Sequence, residues 1–166
     1  MLYTILDDLI YYQIIHFRKR FSNKELLLFK YFHERTKVYP QNVIIIGRFV
    51  FFFVRNEYYF KANKNLKYIR RQFQDKKLII IRAENTLIKL LIGFFPDLYI
   101  HTITIEMNIF TGKRHIVVGV LSYEERAIAI GCNGEYIKAV NRLLENFVLF
   151  ENNGTPIKIE CKVVGL

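Results

Sequence analysis

Gly131 and Gly134 bracket two uncharged residues, Cys132 and Asn133, in the run Ile130-Gly131-Cys132-Asn133-Gly134-Glu135. Glycines at this spacing let a backbone turn sharply and bring its amides close to a phosphate, with no β-carbon in the way. A helix starting directly afterwards adds its dipole and its unpaired N–H groups at the same spot. The chemistry on offer is anion capture by main chain. Lys138 and Arg142, four residues apart, share a face of the following segment and are placed to track a sugar-phosphate chain. Cys132 reads as an incidental exposed thiol, because it has no neighbouring partner that would make it redox-active.

The elements that must hold this loop are legible on both sides. His101 to Ile109 alternates as a strand, Thr111-Gly112 turns the chain, and Arg114 to Leu121 returns as the hairpin partner. Tyr123 to Ile130 is a short helix, with Glu124-Glu125 as its solvated start. Glu135 to about Phe147 is a second helix with a buried stripe of Ile137, Val140, Leu144 and Phe147. Asn152-Asn153-Gly154 turns into a last strand, Ile157 to Val164, and a helix begun by Asn85 precedes the hairpin. This order, α-β-β-α-α-β with GxxG between the last two helices, resembles the KH module of bacterial topology. Such modules clamp about four nucleotides of single-stranded RNA at that loop.

The likeness extends to a family. Residues 78–120, "LIIIRAENTLIKLLIGFFPDLYIHTITIEMNIFTGKRHIVVGV", resemble the join between the OB-type barrel and the first KH module of the bacterial transcription factor NusA. The matching features are Leu78–Arg82, Thr86–Phe94, Pro96-Asp97, Ile100–Met107 and the hairpin Gly112–Val118, and "GCNGEYIKAVNRLL" continues them. Upstream, "LLLFKYFHERTKVYPQNVIIIGRFV" is similar to that family's helix, linker and first barrel strand. The resemblance implies RNA binding by a barrel and KH pair acting with a bacterial-type RNA polymerase on pausing, elongation and termination. It adds Lys113 and Arg114 of the hairpin to the RNA-binding set. A ribosomal or ribosome-associated small-subunit protein binding rRNA is the alternative.

Charge supports a polyanion partner. Of 25 Lys+Arg and 15 Asp+Glu, residues 1–90 hold 18 and 7, and residues 91–166 hold 7 and 8, so the whole net charge of +10 sits in the first part. Lys61, Lys64, Lys67, Arg70, Arg71, Lys76 and Lys77 interleave there with Tyr58, Tyr59, Tyr68 and Phe73. Cations with aromatic faces are what single-strand binding on an OB-type barrel requires. Arg70, Arg71, Lys76 and Lys77, flanking a loop, have the best claim. Phe51, Phe53, Tyr59 and Phe60 read as core. Val43 to Val54, with Gly47 inside, reads as one long bent strand, followed by strands at Tyr58–Lys61, Leu66–Ile69 and Leu78–Arg82. At the N-terminus, Ile5 to Phe17 and Asn23 to about Glu34 read as helices, the second opened by a Ser22/Glu25 capping box.

The expected architecture is therefore α+β: helices over 1–36, a reduced OB-type barrel over 37–82 and a KH domain over 83–166. Several classes are excluded. His16, His33, His101 and His115 are scattered without ligand spacing, two cysteines make neither a disulfide framework nor a Cys-only zinc site, and no nucleophile-base pair stands out. No enzyme, metal or cofactor is expected. The longest apolar run is twelve residues and contains Arg48, too short for a membrane span. Asp7 and Asp8 sit where a signal peptide has basic residues. Heavy use of Ile, Lys, Asn, Phe and Tyr points to a low-GC genome, hence a plastid stroma or a bacterial-type cytoplasm.

Overall fold

The computed structural model describes residues 10–18, 20–151 and 158–165. The chain divides into two units, Phe17–Asn85 and Met1–His16 with Thr86–Leu166. A three-residue strand, β1 (Ile15–Phe17), spans the first boundary and pairs with a strand near the C-terminus.

In the Phe17–Asn85 unit, helix α1 (Asn23–Thr36) starts where Ser22 Oγ accepts the Glu25 amide at 3.2 Å. Glu25 Oε1 returns the favour, accepting the Ser22 amide at 2.8 Å, so two orphan N–H groups are satisfied together. Strands β2 (Asn42–Ile46) and β3 (Phe49–Val54) form an antiparallel hairpin around Gly47-Arg48. Gly47 sits at φ +57, the conformation that tight hairpins reserve for glycine. Short helices α2 (Tyr59–Asn63) and α3 (Leu66–Gln72) then lead to β4 (Lys77–Arg82), which pairs parallel to β3. The core lies between helices and sheet: Leu28 and Phe32 from α1 and Ala62 and Ile69 from α2 and α3 meet Val50, Phe52, Leu78 and Ile80. Phe32 stacks on Phe52 at 4.4 Å. These are the large side chains whose burial does most to hold the unit together.

The other unit contains α4 (Leu87–Gly93), β5 (Thr102–Met107), β6 (Arg114–Val120), α5 (Tyr123–Ile130), α6 (Glu135–Phe147), β7 (Val148–Phe150) and β8 (Lys158–Val163). Strands β5 and β6 are antiparallel, β6 and β8 parallel, in the order β5-β6-β8; β7 pairs with β1. Helices α5 and α6 are each pinned to the sheet by a side chain. Arg126 Nε donates to Cys161 O at 3.0 Å. Asn141 donates to Ile159 O at 3.0 Å and accepts the Ile159 amide at 2.7 Å, completing both halves of one backbone position.

The two units share one plan: helix, antiparallel hairpin, two helices, and a third strand parallel to the second. That replaces the expected barrel. Among the described residues 37–82 form an open three-stranded sheet, not a closed barrel, and α1 belongs to its core and not to a separate lead. The long strand Val43–Val54 is two strands. Tyr58–Lys61 and Leu66–Ile69 are helical, because Tyr59, Ala62, Leu66, Ile69 and Phe73 recur at three- and four-residue steps and turn one face to the sheet. Ile15–Phe17 is strand, where a helix was expected; residues 5–9 of that helix, and the turn Asn152-Asn153-Gly154, lie outside the described residues.

Candidate functional site

The Gly131–Gly134 loop lies between α5 and α6 as a single 3-10 turn. Its backbone departs from ordinary helical geometry at three points: Gly131 at φ +77 and ψ 175, Asn133 at φ +54, and Gly134 at φ +69. The first of these is a region open only to glycine. Gly131 N donates to Ala127 O at 3.0 Å, closing α5, and Gly134 N donates to Gly131 O at 3.0 Å. The Glu135 amide donates to Cys132 O. Among the described residues, the amides of Cys132 and Asn133 have no such acceptor, and both residues are exposed. The free donors therefore sit at the tip of the loop, one step earlier than the helix start that the sequence suggested.

The short helices α2, α3 and α4 start without a side-chain cap, and of the three described helices of eight or more residues α6 alone does so too. Helices α1 and α5 both open on a serine with a glutamate three residues on; at α5, Ser122 Oγ accepts the Glu125 amide and Glu125 Oε2 accepts the amides of Leu121 and Ser122. Helix α6 opens on Gly134 with no side-chain cap.

Lys138 leans back toward this end, with Cε 4.0 Å from the place a β-carbon on Gly134 would occupy. Lys138 and Arg142 are both exposed, while Ala139, Val140, Leu143 and Leu144 are the buried residues of α6. The buried stripe is thus rotated from the expected one: Ile137 and Phe147 are only half-buried. Helix α5 carries a surface that was not foreseen. Of its apolar run Ala127-Ile128-Ala129-Ile130 only Ala129 is buried, and Ile128 and Tyr123 are 63% and 80% exposed. An apolar helix showing so little burial just before a glycine loop is a signal that spacing alone does not reveal.

Below the loop, Tyr136 anchors α6. Its hydroxyl donates a short hydrogen bond to Phe94 O, and its ring meets Phe95 edge-on at 6.1 Å. Burial pushes its phenol well above the usual value, with the nearby Cys161 adding in the same direction. Burial also pushes the Cys161 thiol up to about 11, with Arg126 opposing.

The remaining expected RNA contacts fall elsewhere. Lys113 and Arg114 are exposed at the β5–β6 turn, where Asn108 Oδ1 accepts the amides of Phe110 and Thr111 and holds Ile109 and Phe110 almost fully in solvent. Arg70, Arg71, Lys76 and Lys77 belong to the Phe17–Asn85 unit and stand at the two ends of the turn between α3 and β4, as expected, but two of them also have partners within the fold. Arg70 Nε donates to Leu78 O at 3.0 Å, and Arg70 and Arg71 occupy the last turn of α3, where cations offset the helix dipole. Lys77 begins β4, with Nζ over the Phe49 ring at 5.6 Å. Of the interleaved aromatics, Tyr59 is core with the Arg82 guanidinium over its ring at 4.2 Å, Phe73 packs on Tyr31 at 5.0 Å, and Tyr58 and Tyr68 are exposed. Phe51 and Phe53 are buried, whereas Phe60, expected in the core, is 68% exposed.

Neither any family model nor any curated protein matches this chain. Among solved structures, the one titled "Crystal structure of APE1850" is similar to it, with a TM-score of 0.59 and 20% identity over 86% of this chain and 100% of that one. At that identity the likeness concerns the fold.

Proposed function

We propose that this chain is a single-stranded RNA-binding protein of NusA-like type, in which both units are KH-type modules and the Gly131–Gly134 loop holds the sugar-phosphate backbone. The observation that carries the reading is the start of α6 without a side-chain cap, beneath a loop whose exposed Cys132 and Asn133 amides have no backbone acceptor among the described residues. Phosphate oxygens would occupy the position that Ser22 and Ser122 fill at α1 and α5. Lys138 supplies the nearest cation, Arg142 extends the track one turn along α6, and Ile128 with Ala127 offers bases an apolar surface beside the loop. Lys113 and Arg114 add charge at the hairpin. The reading needs no catalytic group.

Acting with a bacterial-type RNA polymerase on elongation and termination is the partner role that the resemblance over 78–164 supports. Two exposed positions provide the test. Replacing Cys132 and Asn133 with Asp puts carboxylates at the loop tip without touching either glycine, and should weaken binding of a labelled RNA 12-mer about tenfold or more in fluorescence anisotropy. Undiminished affinity would refute the clamp. Affinity purification after RNase treatment should then retain polymerase subunits; migration with the small ribosomal subunit on a sucrose gradient would instead assign the chain to the ribosome.

A further inference from the structure

The Phe17–Asn85 unit has the plan of the other unit but not its glycine loop. Between α2 and α3 stand Lys64 and Asn65, both right-handed at φ −56 and −93, and their amides bond back to Phe60 O and Ala62 O at 3.2 and 3.1 Å. No left-handed turn presents free amides there. Yet this unit holds 17 Lys+Arg against 5 Asp+Glu, while the other holds 8 against 10. The positive charge lies where the amide clamp is missing.

Part of that charge converges on one cleft of about 550 Å³, within the size range of small-molecule sites. Lys37, Arg55 and Lys61 line it together with Tyr39 and Tyr58. No carboxylate lines it. Arg55 has one carboxylate within reach, Glu57 at 3.5 Å, but both side chains are more than 60% exposed and such a pair exchanges readily for a stronger anion. Among the described residues Lys37 and Lys61 form no ion pair. The cleft's wall is fixed. Lys37 caps α1 in a left-handed conformation with its amide on His33 O, and the Tyr39 ring stacks on His33 at 3.6 Å. Tyr58 is 43% exposed beside it.

We propose that this cleft binds a nucleoside phosphate, with Lys37, Arg55 and Lys61 neutralising the phosphate and Tyr39 and Tyr58 offering aromatic faces to the base. It goes beyond the RNA reading of the Gly131–Gly134 loop and does not depend on it. Two sources share this chemistry, a free nucleotide and one unit of an RNA strand.

Amide chemical-shift titrations of the full chain separate the outcomes. UMP should give saturable shifts at Lys37, Tyr39, Gln41, Arg55, Tyr58 and Lys61, weakened about tenfold in the double variant K37Q/K61Q. Y58L should weaken UMP several-fold and leave inorganic phosphate unchanged. Shifts at these amides with a uridine hexanucleotide and not with UMP would assign the site to RNA and still support it. The proposal is overturned if neither probe shifts these amides, if inorganic phosphate binds as tightly as UMP, or if K37Q/K61Q binds like the wild type. Because C132D/N133D leaves the cleft untouched, UMP binding should persist in it, so the loop reading can fail while this one stands.

Discussion

Gly131 lies against Tyr136 so closely that a β-carbon on the glycine would stand 2.7 Å from the tyrosine Cβ and 3.1 Å from its amide nitrogen. Real side chains do not approach so near, and the neighbours are the tyrosine's backbone and the Cβ fixed to it, which yield little. At φ +77 the position is also strained for any L-residue. Gly134, at φ +69, has open space: its nearest neighbour is the flexible end of Lys138 at 4.0 Å. The two glycines therefore do different work, one for packing and one for conformation. G131A should lose roughly 1–3 kcal/mol in urea unfolding, and G134A about 1 kcal/mol. Equal losses would remove the steric role assigned to Gly131. An aspartate at Gly131 reports strain and not charge, which is why the RNA test uses Cys132 and Asn133.

Glu25 ties the start of α1 to the edge of the sheet. One oxygen accepts the Ser22 amide at 2.8 Å and the other the Ile45 amide at 3.0 Å, in a side chain that is nearly buried. Removing it orphans two backbone donors, which costs roughly 2–4 kcal/mol. Removing Ser22 Oγ loses one capping bond, about 1 kcal/mol. E25A should thus unfold at clearly lower urea than S22A. The reverse ranking would mean that the Ile45 contact contributes nothing.

The glutamate was visible in the sequence as half of a capping box, but its second bond was not, because Ile45 is twenty residues away. The same divide separates what could and could not be read elsewhere. Around the glycine loop, strand alternation and helix punctuation were local, and the elements from Thr102 to Phe147 lie within a residue or two of their expected ends. In Val43–Val54 the pattern misled. Strand β3 is buried at every position, so no polar alternation marks it, and two apolar strands ran together across Gly47-Arg48. Tyr58-Tyr59-Phe60 favours strand by residue type, yet the helical spacing of Tyr59, Ala62, Leu66, Ile69 and Phe73 was there and it decides the fold, since burying that face outweighs intrinsic preference. The cleft of Lys37, Arg55 and Lys61 had no local signal at all; it brings together two stretches of chain, 37–41 and 55–61.

The two cysteines should behave as opposites. Cys161 is buried and its thiol is pushed up to about 11 from an ordinary value near 9. The folded state thus keeps a proton that the unfolded state releases first, so the thiol's contribution is intact below about pH 9 and is lost as pH rises through about 11. C161A should flatten that part of the stability profile. Cys132 is exposed in the loop. N-ethylmaleimide at neutral pH should label Cys132 alone, and the adduct, lying at the proposed phosphate position, should abolish RNA binding. Labelling of both thiols in the native state would contradict the burial of Cys161.

Basic residues on the two units should separate binding from stability. Lys138 and Arg142 are exposed and make no hydrogen bond or ion pair among the described residues, so K138Q/R142Q should leave urea unfolding within about 0.5 kcal/mol of the wild type. If each meets one phosphate of a single strand, the dependence of log K on log salt should become shallower by about 1.4. Arg70 differs, because its Nε holds Leu78 O and fastens α3 to β4. R70Q should cost about 1 kcal/mol of stability, and any loss of RNA affinity should be independent of salt. An unchanged salt slope in K138Q/R142Q, together with a shallower one in R70Q/R71Q, would move the RNA path off α6 and onto the end of α3.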